Sequence, residues 1–271
     1  MEKPIERPSL INTYTRSFEP LKNANLRLYL GGQAISLLGT WMQSTAQSWV
    51  VWELTRSESS LGIVVMLNGL PLFLLAPWAG GFADRFNRRM ILLVTQAIAM
   101  LLAFALAVLV QTNLVQIWHI YVFAFILGTI AALDFPAQQA FIGDLSGMKQ
   151  VRQAVTLNIM GLQVARMLGP AAAGFLLKAV GSAAAFWING LSFLVVLLSI
   201  FLVKSHKQEI NKRGSGRGQF REVLDYVRAQ PRMVDLLIFA SLVTFFGLSI
   251  MNILPAVADH VLHGDSQTFG L

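Results

Sequence analysis

Residues 90–110 read MILLVTQAIAMLLAFALAVLV, an unbroken apolar run without a single charge. At 1.5 Å per residue a helix of this length covers about 30 Å, the thickness of a bilayer's hydrocarbon core. Working outward from it, six more stretches are long and apolar enough to cross as helices: 28–52, 61–83, 118–137, 154–180, 183–203 and 236–257. The first of these is the most polar. Spanning strands would be about 10 residues long with alternating polarity, and no such alternation occurs. The expected fold class is therefore an all-α membrane protein.

Composition agrees. Of the 271 residues, 55% are hydrophobic and 13% charged, where a soluble domain carries about a quarter charged. The net charge of +7 could signal a nucleic-acid partner. The placement of the basic residues points to a membrane instead. Lys and Arg fall in the tail up to Arg27, between the second and third spans (Arg85, Arg88, Arg89), between the fourth and fifth (Lys149, Arg152) and between the sixth and seventh (Lys204 to Arg232). These segments share one side and hold 18 of the 21 Lys and Arg. Arg56 and Lys178 fall on the other side, and Arg166 lies inside a span. By the positive-inside rule the N-terminus and the long basic loop are expected to be cytoplasmic in a multi-pass membrane protein. The tail has no apolar core beside a small-residue cleavage site, so a signal peptide is not expected.

The layout divides into a cytoplasmic tail (1–25), a six-helix half (26–203), a basic linker (204–234) and a segment holding a seventh helix (235–271). In the linker, Lys212 to Gly218 reads as a flexible connector rather than an RNA or lipid site. Its GSGRG lacks the Lys-Ser/Thr pair of a phosphate loop. Phe220, Val223, Leu224 and Val227 recur at helical spacing before Pro231, which predicts a short amphipathic helix at the membrane surface. Six helices, a linker and a further helix match the first part of transporters built from two repeated halves.

Between the second and third spans stands Gly80-Gly81-Phe82-Ala83-Asp84-Arg85-Phe86-Asn87-Arg88-Arg89. It resembles the signature loop of the major facilitator superfamily, matched by Gly80, Asp84, Arg85, Arg88 and Arg89. Asn87 replaces a glycine there, and as a residue that tolerates the left-handed conformation it is expected to keep the turn. In the fifth span, Gly169-Pro170 with Gly174 resembles the Gly-Pro motif of the superfamily's exporters, although small residues also serve ordinary tight packing. Gly39-Thr40-Trp41-Met42-Gln43, Asp134-Phe135-Pro136-Ala137 closing the fourth span, and Leu254-Pro255 are similar to the bacterial efflux branch that includes siderophore and macrolide exporters. Thr268 to Leu271 looks like the opening of an eighth helix, so the chain is expected to stop midway.

The resemblance implies a six-helix half made of two inverted three-helix repeats, plus a seventh helix. It implies a secondary transporter, exporting an amphipathic small molecule by alternating access and energised by protons, with no other cofactor. A C-terminal half would be needed for transport. It also implies that Asp84 and the loop arginines hold the cytoplasmic gate, with Arg88 paired to Asp134 or, as second choice, Asp144; for Asp134 a gate role is expected ahead of carrying a coupling proton. An uptake permease of the same fold is the first alternative. A seven-helix receptor or accessory protein is the second, although receptors of that plan place the N-terminus outside.

Several polar residues fall inside the spans. Gln33, Ser36, Thr40, Gln43 and Gln47 recur at offsets that keep them on one helical face. They either line a substrate cavity or act as hydrogen-bonded glue between helices. Arg166 cannot shed its proton. It meets an anionic part of a substrate, pairs with a carboxylate such as Asp134, or snorkels to the interface. His260 and His263 with Asp259 and Asp265 read as a polar interface rather than a zinc site, so no metal is expected. No nucleophile–base set occurs, and no enzymatic activity is expected.

Overall fold

The computed structural model describes residues 18–203, 225–230 and 232–243, the side chains of Pro77 and Asp84 excepted. A short turn over Glu19–Lys22 leads into six helices: α1 (Ala24–Thr55), α2 (Glu58–Arg85), α3 (Arg88–Gln111), α4 (Ile117–Ser146), α5 (Val151–Val180) and α6 (Ser182–Leu202). Residues 225–228 and 232–243 are helical as well. The remainder of the expected amphipathic helix (220–224) and of the seventh span (244–257) lies outside the described residues, as does Leu254-Pro255.

Short connections force neighbouring helices to run antiparallel, so the helix ends fall into two sets. One set carries Lys22, Arg27, Arg85, Arg88, Arg89, Lys149 and Arg152, and is called the basic end. The opposite end carries Trp49, Trp118 and Trp187, whose indole N–H groups donate to Glu53, Gln116 and Gln111 at 2.7, 2.7 and 2.9 Å. Trp with a wet edge and an apolar body suits a membrane interface.

Helices α2 to α6 are each long and apolar enough to cross a membrane. Helix α1 has the length but not the apolarity, because its polar residues are turned into the bundle: Gln33, Ser36, Gln43, Thr45 and Gln47 are all buried. Backbone hydrogen bonds within each helix satisfy the peptide groups where lipid cannot, which is why polar side chains cost less here than a broken helix would.

Helix α1 packs mainly along α5 and α6, α2 along α4, and α3 along α6 and α4. Exchanging the triplet α1–α2–α3 with α4–α5–α6 maps this pattern onto itself: α2 on α4 becomes α5 on α1, and α1 on α6 becomes α4 on α3. The two three-helix repeats are thus visible in the packing. Two glycines let helix backbones approach closely. A Cβ on Gly128 of α4 would overlap the backbone carbonyl of Asn68 on α2, and one on Gly169 of α5 would stand 2.5 Å from the Trp41 Cβ on α1. Without a glycine at these points the helix axes would have to separate.

The core has two apolar clusters. One lies toward the basic end and includes Tyr29, Leu92, Phe141, Val196 and Ile200. The other includes Val51, Trp52, Leu106, Ile120 and Phe186. On α4 the buried Asp134 falls between Ala124 of one cluster and Ala137 of the other, and on α6 the buried Asn189 falls between Phe186 and Phe193.

Candidate functional site

Only Phe86 and Asn87 separate α2 from α3. Asn87 adopts φ −64° and ψ 112°, and its side chain accepts from the Met90 N–H at 3.3 Å. It is the N-cap of α3, not the left-handed turn residue expected from its glycine-like position. An Asn there satisfies one of the helix's orphan N–H groups. A Cβ on Gly80 would meet nothing within 4 Å. The Asp84 side chain lies outside the described residues, and Arg85 is exposed.

The other two arginines tie helix ends together. Arg88 Nη1 stands 2.6 Å from Asp144 Oδ1, with side chains 18% and 32% exposed. Arg89 Nη2 donates to the Phe201 carbonyl at 2.6 Å, capping the end of α6. Asn23, the N-cap of α1, adds a third tie, its amide donating to the Leu145 carbonyl of α4 at 2.8 Å. The Arg88–Asp144 pair also has an electrostatic logic. A cation at the start of α3 and an anion at the end of α4 each oppose their own helix dipole, and pairing offsets both.

The expected partnership of Arg88 with Asp134 is therefore corrected in favour of Asp144. The reason is the length of α4. Pro136 does not close it: the helix runs on to Ser146, burying Phe141, Ile142 and Leu145. A proline inside a membrane helix is tolerated when its neighbours stay packed. Asp134 consequently lies about 15 Å along the axis from Asp144.

Asp134 is buried. Its Oδ1 is 2.5 Å from Thr95 Oγ1, and its Oδ2 accepts from Gln96 Nε2 at 3.1 Å and from Gln138 Nε2. All three partners are uncharged. Thr95 and Gln96 sit in the same 90–110 run that looks most purely apolar in the sequence. Arg166 does not pair with Asp134 either. Its guanidinium lies 5.5 Å from the centre of the Trp41 ring on α1, a cation–π distance. The pair sits beside Gly169, whose lack of a side chain admits the Trp41 backbone. Pro170 is accommodated inside a continuous α5, and Gly174 is buried.

The polar stripe of α1 divides by depth. Gln33, Ser36, Gln43 and Gln47 are buried, whereas Thr40 is exposed, its hydroxyl donating to the Ser36 carbonyl at 2.9 Å. Gln43 Oε1 accepts from Asn189 Nδ2 of α6 at 2.8 Å, and Ser192 Oγ lies 3.0 Å from Asn189 Oδ1. Gly39 allows this approach, since a Cβ there would come within 2.7 Å of Asn189 Oδ1. Gln43 thus bonds helix to helix. Exposed Ser44, one turn from Thr40, extends the open polar surface of α1; its only sequence signal was that four-residue spacing. A double-mutant cycle on Gln43→Leu and Asn189→Leu is expected to give a coupling of about 0.6 kcal/mol, up to about 1.7. Unfolding in detergent measures it, and strictly additive losses would remove the assignment.

Among the described residues no group of three His, Cys, Asp or Glu is placed to hold a metal. His260, His263, Asp259 and Asp265 lie outside them.

Two crossed three-helix repeats, a clamped turn between α2 and α3 and a partly polar first helix define a half-bundle of the major facilitator type. The chain belongs to the family described as transmembrane secretion effector, matched over residues 15–271. It is 25% identical over 246 residues to a staphyloferrin A transporter of Staphylococcus aureus, covering 90% of this chain and 62% of that protein. A tetracycline resistance protein, class C, of Escherichia coli is 28% identical, with 90% and 60% covered. Macrolide efflux protein A of Streptococcus pyogenes is 21% identical, with 91% and 62% covered. The chain thus spans about six tenths of the length of these curated relatives. The fold also matches a crystal structure of a bacterial homolog to the human lysosomal transporter Spinster, with a TM-score of 0.72 at 16% identity, covering 93% of this chain and 58% of that one. Membership in a transporter family sets aside the receptor reading and an enzymatic role.

Proposed function

We propose that residues 26–203 are the N-terminal half of a proton-coupled exporter of amphipathic small molecules, that 204–234 link it to a second half begun by 235–271, and that the basic end faces the cytoplasm. The observation that carries this reading is the family match over nearly the whole chain. Relatives whose names specify staphyloferrin A, tetracycline resistance and macrolide efflux support a small-molecule cargo, and the last of these names supports outward transport. The exposed hydroxyls of Thr40 and Ser44 and the Arg166–Trp41 pair offer polar and cationic contacts within an otherwise apolar surface, which suits such a cargo. A second half is needed to enclose them. Asp84, with Gly80 and Arg85 beside it, would latch against that half, while the Arg88–Asp144 pair and Arg89 hold the first half's own ends.

The test uses the protein completed by its second half, in proteoliposomes with an imposed pH gradient. Gradient-driven movement of an amphipathic dye, lost on adding a protonophore, is expected; movement indifferent to the gradient would refute proton coupling. The 271-residue chain alone should move none. Because the chain has no cysteine, single cysteines at positions 152 and 113 report orientation directly. Labelling of position 152 from outside intact cells would invert the proposed topology.

A further inference from the structure

We propose that Asp134 is a proton-binding site within the bundle, with its exchangeable proton carried on Oδ1 and with Thr95 as the residue that positions it. The inference deepens the transport reading by naming the group that would carry the coupling proton, but proton binding itself does not depend on that reading.

The argument is one of counting hydrogens. Oδ2 accepts amide N–H bonds from both Gln96 and Gln138. Those donors occupy it whether or not the acid is charged, which leaves Oδ1 as the place for a proton. The Thr95 hydroxyl beside Oδ1 has one hydrogen and three acceptors in reach: Ile91 O at 2.9 Å, Leu92 O at 3.1 Å and Asp134 Oδ1 at 2.5 Å. It can serve one at a time. When Asp134 is ionised, Thr95 donates to Oδ1 and three neutral donors hold the carboxylate. When Asp134 takes a proton from hydronium, releasing water, Oδ1–H donates to Thr95 Oγ1, and the Thr95 hydrogen swings to the Ile91 carbonyl. Uptake or release of that one proton, together with rotation of the Thr95 hydroxyl, exchanges the two states, with no side chain displaced and every oxygen of the carboxyl still bonded.

The surroundings favour a change of charge over a fixed ion pair. Among the described residues Asp134 has no cationic partner. From α1 the titratable group within its electrostatic reach is the phenol of Tyr29, neutral near pH 7 in its ordinary form, and the Tyr29 hydroxyl is itself buried without a hydrogen-bond partner. On α3 the near groups, Thr95 and Gln96, are neutral, and Arg88 and Arg89 are engaged at the helix start. The described charges of α2 are Glu58 and Arg85, at its two ends. On α5 Arg152 and Lys178 lie near the ends, and Arg166 stands over Trp41. A carboxylate in the interior with only neutral donors is costly to keep ionised and inexpensive to neutralise. An asparagine would meet the same hydrogen bonds without that property.

The test is infrared spectroscopy of the full 271-residue chain in lipid bilayers, titrated between about pH 4 and pH 9. A carbonyl band of a protonated carboxyl that appears on acidification, shifts in heavy water and vanishes in Asp134→Asn is the expected result. Thr95→Val removes a hydrogen bond from both states, but the one to the ionised carboxylate is charge-assisted and the stronger of the two, so the midpoint of that band should rise by about one pH unit, while Thr95→Ser should leave it in place. A band unchanged in Asp134→Asn, or an Asp134 band that does not titrate in this range, overturns the proposal. Should Asp134→Asn fail to fold, equal midpoints in Thr95→Val and Thr95→Ser overturn it just as well. Titration in a protein whose transport ignores the pH gradient would keep the site and remove its coupling role; gradient-driven transport with a silent Asp134 would do the reverse.

Discussion

Gly128→Ala should destabilise the bundle by about 1–3 kcal/mol, the usual penalty for forcing a methyl group into a filled space. The added Cβ would fall on the backbone carbonyl of Asn68. A backbone atom cannot rotate away as a side chain can, so α2 and α4 must separate along their most extensive contact. Gly169→Ala should behave similarly but more mildly, because the opposing Trp41 Cβ at 2.5 Å can yield with a small shift of α1. The controls are Gly62→Ala and Gly69→Ala on α2, where a Cβ meets no atom within 4 Å. Alanine is a better helix former than glycine by about 1 kcal/mol, so these two should be neutral or slightly stabilising. The contrast in sign separates a packing effect from helix propensity. Thermal unfolding of the four variants in one detergent measures it, and a Gly128→Ala protein as stable as Gly69→Ala would show that the crossing is not tight.

The same crossing illustrates what a single sequence does and does not disclose. The six spans, their order and the turn between α2 and α3 follow from apolar length and from Arg85, Arg88 and Arg89, because bilayer thickness and charge sidedness act on local sequence. Gly128 carries no comparable signal: its meaning depends on Asn68, 60 positions away, and nothing local marks that partnership. The place of Asp134 within its helix is hidden for a related reason. Asp-Phe-Pro-Ala looks like a helix terminus, since proline usually ends a helix in water. In the bundle the buried Phe141, Ile142 and Leu145 carry the helix past it. Thr95 and Gln96 were hidden by being two polar residues in an apolar run, where a count of hydropathy dilutes them. Asn87 shows the converse. Its need for a specific backbone geometry was legible, but capping and left-handed turns both favour Asn, and the sequence does not separate them.

Exchanging the charges of Arg88 and Asp144 should restore all of what either single reversal removes. Arg88→Asp would place two carboxylates where a 2.6 Å ion pair now stands, and Asp144→Arg would oppose two guanidinium groups in the same space. Each reversal loses an attraction and gains a repulsion, between groups only 18% and 32% exposed, so water screens them less than at an open surface. A loss of about 1–2 kcal/mol per single reversal is expected. The double exchange recreates the pair and adds a second benefit. It puts a carboxylate at the start of α3 and a cation at the end of α4, the arrangement that helix dipoles favour by about 0.3–1 kcal/mol at each terminus. The doubly exchanged protein should therefore match or exceed the parent in stability. The decisive control is Arg88→Asp combined with Asp134→Arg. Asp134 is held by Thr95, Gln96 and Gln138, so this combination should rescue nothing and should lose more than either change alone, by burying an unpartnered cation. Unfolding in detergent at low and high salt reads both comparisons, with the Arg88–Asp144 coupling shrinking as salt rises. Additive losses in the Arg88–Asp144 exchange, or rescue through Asp134, would mean that a different pair clamps the basic end. Transport by the completed protein then separates clamp from gate: a pair that only braces the half-bundle regains transport with stability, whereas a pair that must break in each cycle slows turnover when the exchange makes it tighter.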